Sequence, residues 1–197
     1  MILEKEIEFI LAIDALKNVN RRNFNLDNSR RENTAEHSWQ VVVFAQILYP
    51  YARNKEKIDL GKVLKMLSIH DVVEIDAGDT FAFDTHTVLA QQADKEIAAA
   101  KRIFGLLSEP QRSELLELWL EFEHAESADA QFAKSIDRIL PLIQNMQNDG
   151  GSWVQNKVSK NQVIQRNKYL EKSAPLLWTY AMKQIDLATE KGWLTID

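Results

Sequence analysis

Histidine and acidic residues are the side chains of this sequence that could bind a metal, since the absence of cysteine excludes thiolate sites. Asp71 directly follows His70, one of four histidines. Consecutive helical residues point about 100° apart, so this pair can share an ion only if other elements supply further ligands. His37 is a candidate for one of them. We interpret His86 and His124 as surface residues, because neither has both acidic and apolar neighbours.

A second distant ligand should be an acid on an otherwise apolar helix, and Asp137 fits, with Phe132, Ile136 and Ile139 around it. A buried carboxylate is costly unless it is paired or bound to metal. Two imidazoles and two carboxylates suit a borderline divalent ion such as manganese, iron, cobalt, nickel or zinc. The ordinary alternatives are a lone core histidine and an aspartate that caps a helix or forms an ion pair. The residues therefore predict one divalent ion, bound by His37, His70, Asp71 and Asp137.

Glu74 follows His70 by four residues and Asp71 by three, so on a helix it shares their face. A carboxylate beside a metal can orient or deprotonate an attacking water molecule. Taken alone, Glu74 would more often be a solvated helix residue.

The elements that must position these residues are predicted to be helices. Glycine and proline are scarce, and apolar residues recur at helical spacing, which favours an all-α bundle of about six to eight helices. We expect helices over about 3–18, 33–50, 59–70, 86–105 and 127–146, a further helix that begins at Ser108, and one or two helices over 160–190, divided at Pro175. Predicted N-caps are Asn33, with Glu36 completing a capping box, and Asp59, Ser108 and Ser127.

Two further expectations concern the first third of the chain. The first helix carries one apolar stripe, which consists of Ile7, Ile10, Leu11 and Leu16. The polar segment 20–33 is predicted to be a loop, as is the aspartate-rich segment 76–84.

Length and charge restrict the classes of function. A chain of 197 residues favours one domain over 1–197, with the chemical motifs within about 10–145 and the helices of 160–190 packing on them. The net charge of −5, without a long basic run, argues against binding of a nucleic-acid polymer and favours a small anionic substrate. No apolar stretch is long enough to span a membrane, and the N-terminus carries acids where a signal peptide would be apolar, so we predict a cytoplasmic protein.

Four separated motifs occur in an order that resembles the HD-domain phosphohydrolase superfamily, most closely its 5′-deoxynucleotidase-like branch. They are Glu32-Asn33-Thr34-Ala35-Glu36-His37, His70-Asp71-Val72-Val73-Glu74, Gly78-Asp79 and Lys134-Ser135-Ile136-Asp137-Arg138. The resemblance implies metal ligands at His37, His70, Asp71 and Asp137.

It further implies that Glu74 activates or positions water, that Arg21 binds phosphate and that Asp79 lines the pocket near the sugar. A guanidinium can hold phosphate through two parallel hydrogen bonds, although Arg22, Arg30 and Arg31 are possible substitutes for Arg21.

The expected function is release of phosphate from nucleoside 5′-monophosphates, with a deoxyribose preference, by an all-α homodimer with one divalent ion (magnesium is a further candidate). The family places a tryptophan directly after the arginine, where this chain has Arg22-Asn23-Phe24. Alternatives are an HD hydrolase of cyclic nucleotides, dinucleotides or triphosphates, a non-catalytic metal- or nucleotide-binding module, and a helical bundle with a polar core cluster.

Overall fold

Helices make up most of the chain, as the composition predicts. The computed structural model describes residues 2–196, so Met1 and Asp197 of the predicted domain lie outside the described range. The α-helices are α1 (Ile2–Ile13), α2 (Thr34–Leu48), α3 (Leu60–Ile69), α4 (Glu74–Ala77), α5 (His86–Phe104), α6 (Gln111–His124), α7 (Ala128–Gln147), α8 (Gly151–Gln155), α9 (Lys160–Asn167), α10 (Tyr169–Ser173) and α11 (Pro175–Glu190). Eight of these contain eight or more residues, in agreement with the predicted six to eight helices.

Three of the four predicted N-caps are confirmed. Asn33 accepts from the Glu36 amide and forms the full capping box of α2, while Asp59 caps α3 and Ser127 caps α7. The prediction for Ser108 is wrong, because its hydroxyl donates to the carboxylate of Glu6 and α6 begins later, at Gln111. These caps fix where the helices carrying His37 and Asp137 begin.

The segment 20–33 is not a loop, and this prediction is corrected. It forms an antiparallel hairpin of β1 (Asn20–Phe24) and β2 (Arg31–Asn33), with an irregular register between the paired ends. The two strands consist almost entirely of polar residues and give no alternating hydrophobic signal, so the pattern could not show them. Side chains dock the hairpin on the helices: Asn23 donates to Gln144 at 3.0 Å, and Asn148 donates to the Asn25 carbonyl at 3.0 Å.

The core has two parts, and α7 runs along the larger one. That part includes fully buried side chains of α3 and α7, such as Leu67, Phe132 and Ile136. The smaller part packs α1, α5 and α6 together around Phe104 and Trp119. The N-terminal half of α2, the C-terminal end of α3 and the middle of α7 meet between the two parts.

The apolar stripe of α1 faces outward except at its end. Leu16, in a 3-10 turn after α1, is buried, whereas Ile7, Ile10 and Leu11 are exposed, the last at 70%. The helix instead buries Phe9, which stacks against Phe104. Among the described residues no helix is long and apolar enough to cross a membrane.

Candidate metal centre

Three side chains from three helices converge where α2, α3 and α7 meet. His37 on α2, His70 at the end of α3 and Asp137 on α7 each offer one ligand atom, and these atoms lie within 4.8 Å of one another. His37 Nε2 is 3.0 Å from Asp137 Oδ1, and His70 Nε2 is 3.5 Å from the same oxygen. Both imidazoles are buried, so the cluster sits at the floor of its pocket.

The surroundings of His70 fix which ring nitrogen faces the cluster. Nδ1 donates to the Leu67 carbonyl at 2.9 Å, which directs Nε2 inward. The buried Nε2 has no hydrogen-bond partner, although it is 3.1 Å from Asp71 Oδ2. Trp119 Nε1 donates to the His70 carbonyl at 3.0 Å and holds the backbone of this residue.

Asp71 lies against the cluster and is shared with Arg21. Its Oδ2 accepts from Arg21 Nη1 at 2.6 Å and is 3.9 Å from His37 Nε2. Burial lowers the pKa of Arg21, but the nearby carboxylates, Asp71 first among them, raise it on balance. This guanidinium therefore stays charged beside the cluster, held by the β1 strand.

Glu32 is the residue of this site whose role the spacing did not show. It is buried in β2, and its Oε2 lies 3.3 Å from His37 Nδ1. Its other oxygen accepts from Gln144 Nε2 at 2.8 Å, which ties the hairpin to α7. A carboxylate behind a histidine orients the ring and favours the inward nitrogen as a ligand. In the sequence, the one indication of a role for Glu32 was its position in the motif that ends at His37.

Glu74 and Asp79 form the acidic wall beside the cluster. Glu74 Oε2 accepts from the buried Thr34 hydroxyl at 2.8 Å, and Oε1 is 3.8 Å from Arg21 Nη1. Burial, with the charge of Asp71, raises the pKa of Glu74 well above its usual value. Asp79 follows Gly78, whose φ of +73° turns the chain out of α4, and accepts from the Arg22 amide at 2.9 Å.

The chemistry of this set fits a divalent cation. Several carboxylates share the site with one guanidinium, and buried anions need compensation by cations. Burial alone would lower the pKa of His70, but the negative charges of the neighbouring Asp71 and Asp137 raise it to about 10. Without an ion, a proton thus fills the place that a cation would take. The inward Nε2 without a hydrogen-bond partner is the atom that metal binding would satisfy.

A cavity of about 350 Å³ opens over the cluster. Its wall includes Arg21, Glu74 and Asp79, and Phe81 and Phe83 pack edge to face at 5.5 Å along it. The Phe24 ring lies instead beneath the Arg31 guanidinium, 5.0 Å away.

The remaining two histidines lie away from this site. His86 begins α5, His124 ends α6, and both are exposed. The structure therefore brings together all seven residues predicted for the site, namely His37, His70, Asp71, Asp137, Glu74, Arg21 and Asp79.

The chain is similar in sequence to a known family and to characterised relatives. The family model described as HD domain matches residues 13–178. Human 5′-deoxynucleotidase HDDC2 is 30% identical over 139 residues, which are 70% of this chain and 65% of that protein. The match therefore spans slightly less than two thirds of the human relative.

Solved structures show the same fold. A protein of Magnetospirillum magnetotacticum, described as a predicted metal-dependent phosphohydrolase, superposes with a TM-score of 0.90 at 39% identity and covers 98% of each chain. A conserved hypothetical protein of Pyrococcus furiosus has a TM-score of 0.63 at 22% identity over 93% of this chain and 99% of its own. The second likeness concerns the fold alone.

Proposed function

This chain belongs to the HD-domain family, and we propose that it is a metal-dependent phosphohydrolase that releases phosphate from nucleoside 5′-monophosphates, with a preference for deoxyribonucleotides. The observation that carries the proposal is the convergence of His37, His70 and Asp137 within 4.8 Å at the floor of a cavity that also holds Arg21 and Glu74. The names of the human relative and of the Magnetospirillum protein support the same class of reaction.

In this proposal His37, His70, Asp71 and Asp137 hold one divalent cation. When bound, that cation supplies Lewis acidity, which acidifies water and offsets the negative charge of the phosphoryl group. Asp71 would exchange part of its contact with Arg21 for the ion. Glu32 holds the His37 ring in place from behind.

The other residues act on the substrate and on the proton. Arg21 binds the phosphate through its guanidinium N–H groups, which frees it from part of its present contact with carboxylates. Glu74, positioned by Thr34, accepts a proton from the attacking water. Asp79 faces the sugar. The water oxygen bonds to phosphorus as the bond from phosphorus to the 5′-oxygen breaks, without a phosphoenzyme, and the 5′-oxygen leaves with the proton that Glu74 accepted.

The decisive experiment combines metal analysis with substrate turnover. Purified protein is assayed for bound divalent metals and then for phosphate release from deoxy- and ribonucleoside 5′-monophosphates, with cyclic nucleotides, dinucleotides and triphosphates in the same panel. The proposal expects about one equivalent of metal and fastest turnover of a 5′-monophosphate. Fastest turnover of a cyclic nucleotide, a dinucleotide or a triphosphate would favour the other HD hydrolases, whereas metal or nucleotide binding without turnover would indicate a non-catalytic module.

The proposal includes a homodimer that pairs through one apolar face, which we call the α1–α2 face. It consists of exposed side chains at helical spacing on two neighbouring helices: Leu3, Ile7, Ile10, Leu11, Trp39, Val43 and Ile47. A groove lined by Ile10 and Trp39 connects the two rows. Apolar patches beyond a few hundred Å² usually mark interaction sites. A second copy of the same face supplies a matching apolar surface.

A further inference from the structure

Two arginines at the cavity wall have no role in the proposed chemistry. Arg138 follows Asp137 on α7, and Arg166 projects from α9 on the C-terminal side of the molecule. Both line the same cavity as the metal cluster. Within residues 2–196, neither forms an ion pair with a carboxylate. Guanidinium groups gathered without counterions at a cavity are characteristic of anion recognition.

The structure holds Arg138 in place from two sides. Its guanidinium lies 4.3 Å from the centre of the Tyr169 ring, and its Nη1 donates to the Arg166 backbone carbonyl at 3.1 Å. Among residues 2–196 its buried Nε has no hydrogen-bond partner, so the protein does not satisfy all the donors of this guanidinium.

The nearby charged residues leave these two arginines free for a ligand. Lys134, one helical turn before Arg138, is neutralised by Glu123 at 3.0 Å, and its ammonium lies 4.1 Å from the centre of the Phe122 ring. Arg21, the phosphate-binding candidate, is already engaged by Asp71, Glu74 and Glu32. Arg138 and Arg166 therefore make a second cationic zone, distinct from that of Arg21.

The position of this zone limits what can bind there. Arg138 and Arg166 line the same cavity of about 350 Å³ as Asp137. An anion at the pair and a phosphate at the metal cluster can therefore belong to one small molecule. We propose that Arg138 and Arg166 form a second anion subsite, and that the preferred substrate is a nucleotide with a second phosphoryl group besides its 5′-phosphate. This inference rests on the proposed function for the reaction at the 5′-phosphate.

The test compares a nucleoside 3′,5′-bisphosphate with the matching 5′-monophosphate on the metal-loaded protein. We expect kcat/KM to be about tenfold higher for the bisphosphate, through a lower KM, since charge-assisted bidentate contacts are strong. Arg166→Gln should remove that advantage and leave the monophosphate unchanged. Arg166 suits the test because no side chain among residues 2–196 would lose a hydrogen-bond or ion-pair partner in this variant. Arg53→Gln, an exposed arginine outside the cavity, is the matched control and should change neither substrate.

Direct binding separates this inference from the proposed function. Calorimetric titration of the metal-loaded protein should give about tenfold tighter binding of the bisphosphate than of the monophosphate, with the difference lost in Arg166→Gln. Equal binding and equal turnover of the two nucleotides would overturn the subsite while leaving monophosphate hydrolysis intact. An equal loss for both nucleotides in Arg166→Gln would also overturn it. Absence of turnover with either nucleotide would refute the proposed function, and the titration would still decide the subsite.

Discussion

The ionisable residues of the cavity shift one another's pKa values. Asp137 shows this most clearly: burial raises its pKa, but the hydrogen bond with His37 and the charges of the two histidines outweigh burial and hold it well below the usual value. Glu74 lacks such donors apart from Thr34, and its pKa moves in the opposite direction. Two carboxylates whose pKa values differ in this way can take different roles, one as a permanent anion and the other as a proton carrier.

Glu74→Gln should lower kcat for nucleotide hydrolysis by at least about a hundredfold, because an amide cannot accept the proton of the attacking water. Metal content and thermal stability should stay near those of the wild type, since an amide can still accept from Thr34. Phosphate release and metal analysis on the same preparation test this. Glu117→Gln, an exposed glutamate on α6, is the control. Near-normal activity of Glu74→Gln would refute its role.

Glu96 predicts a measurable pH dependence of stability. Burial raises its pKa to about 7, against the opposing hydrogen bond from Gln92. Because the folded protein holds this proton more tightly than the unfolded chain, stability is full below about pH 4.5 and falls as pH rises through 7. Glu96→Gln should match the wild type near pH 5 and exceed it by about 1 kcal/mol at pH 8.5, a value reduced for partial solvent screening. Urea unfolding of metal-free protein measures this, and identical pH profiles would contradict it.

At the level of single residues, the sequence predicted which side chains meet but not what supports them. His37, His70 and Asp137 could be selected because metal-ligating types in apolar surroundings are unusual. Glu32 and Gln144 could not, since their contacts join a hairpin to α7 and no sequence spacing encodes that approach. Whether the gathered residues bind metal stays a prediction for the metal analysis.

At the level of elements, the sequence predicted those helix boundaries that depend on contacts between residues close in the chain. The capping box of α2 and the helix boundary at Pro175 depend on neighbours within one turn, so the sequence predicted both. The hairpin was not, because its strands depend on docking by Asn23 and Asp79 rather than on β-forming residues. Arg21 is positioned by this docked strand, so its approach to Asp71 could not be derived from the sequence alone.

The capping box of α2 should contribute both to stability and to the metal site. Asn33→Ala removes the acceptor for the Glu36 amide and should cost about 1 kcal/mol. Since His37 lies in the first turn, fraying there should also weaken metal affinity several-fold. Ser159→Ala removes the same kind of capping box from α9, which carries no candidate metal ligand. This variant should lose about as much stability as Asn33→Ala but keep its metal affinity. Calorimetry and metal titration of both variants test this, and equal affinities would refute the link.

At the level of the whole molecule, the site lies where two core parts meet, and no single element contains it. The all-α architecture followed from composition, because helical spacing dominates the chain. The outward orientation of α1 did not follow, since an amphipathic stripe has the same pattern whether it packs on its own core or on another molecule. The exposed Ile7, Ile10 and Leu11 show that here the stripe points outward.

The α1–α2 face therefore yields a prediction about assembly. Ile47→Glu places a charge within the apolar face and should shift the protein from dimer to monomer, because an interface of about 800 Å² per partner tolerates an unpaired buried charge poorly. Leu176→Glu is the matched control: both side chains are 67% exposed, but Leu176 lies on α11, outside the face, and its variant should stay dimeric. Sedimentation velocity at one protein concentration distinguishes the two. A monomeric wild type, or a dimer that persists in Ile47→Glu, would show that the face serves another purpose.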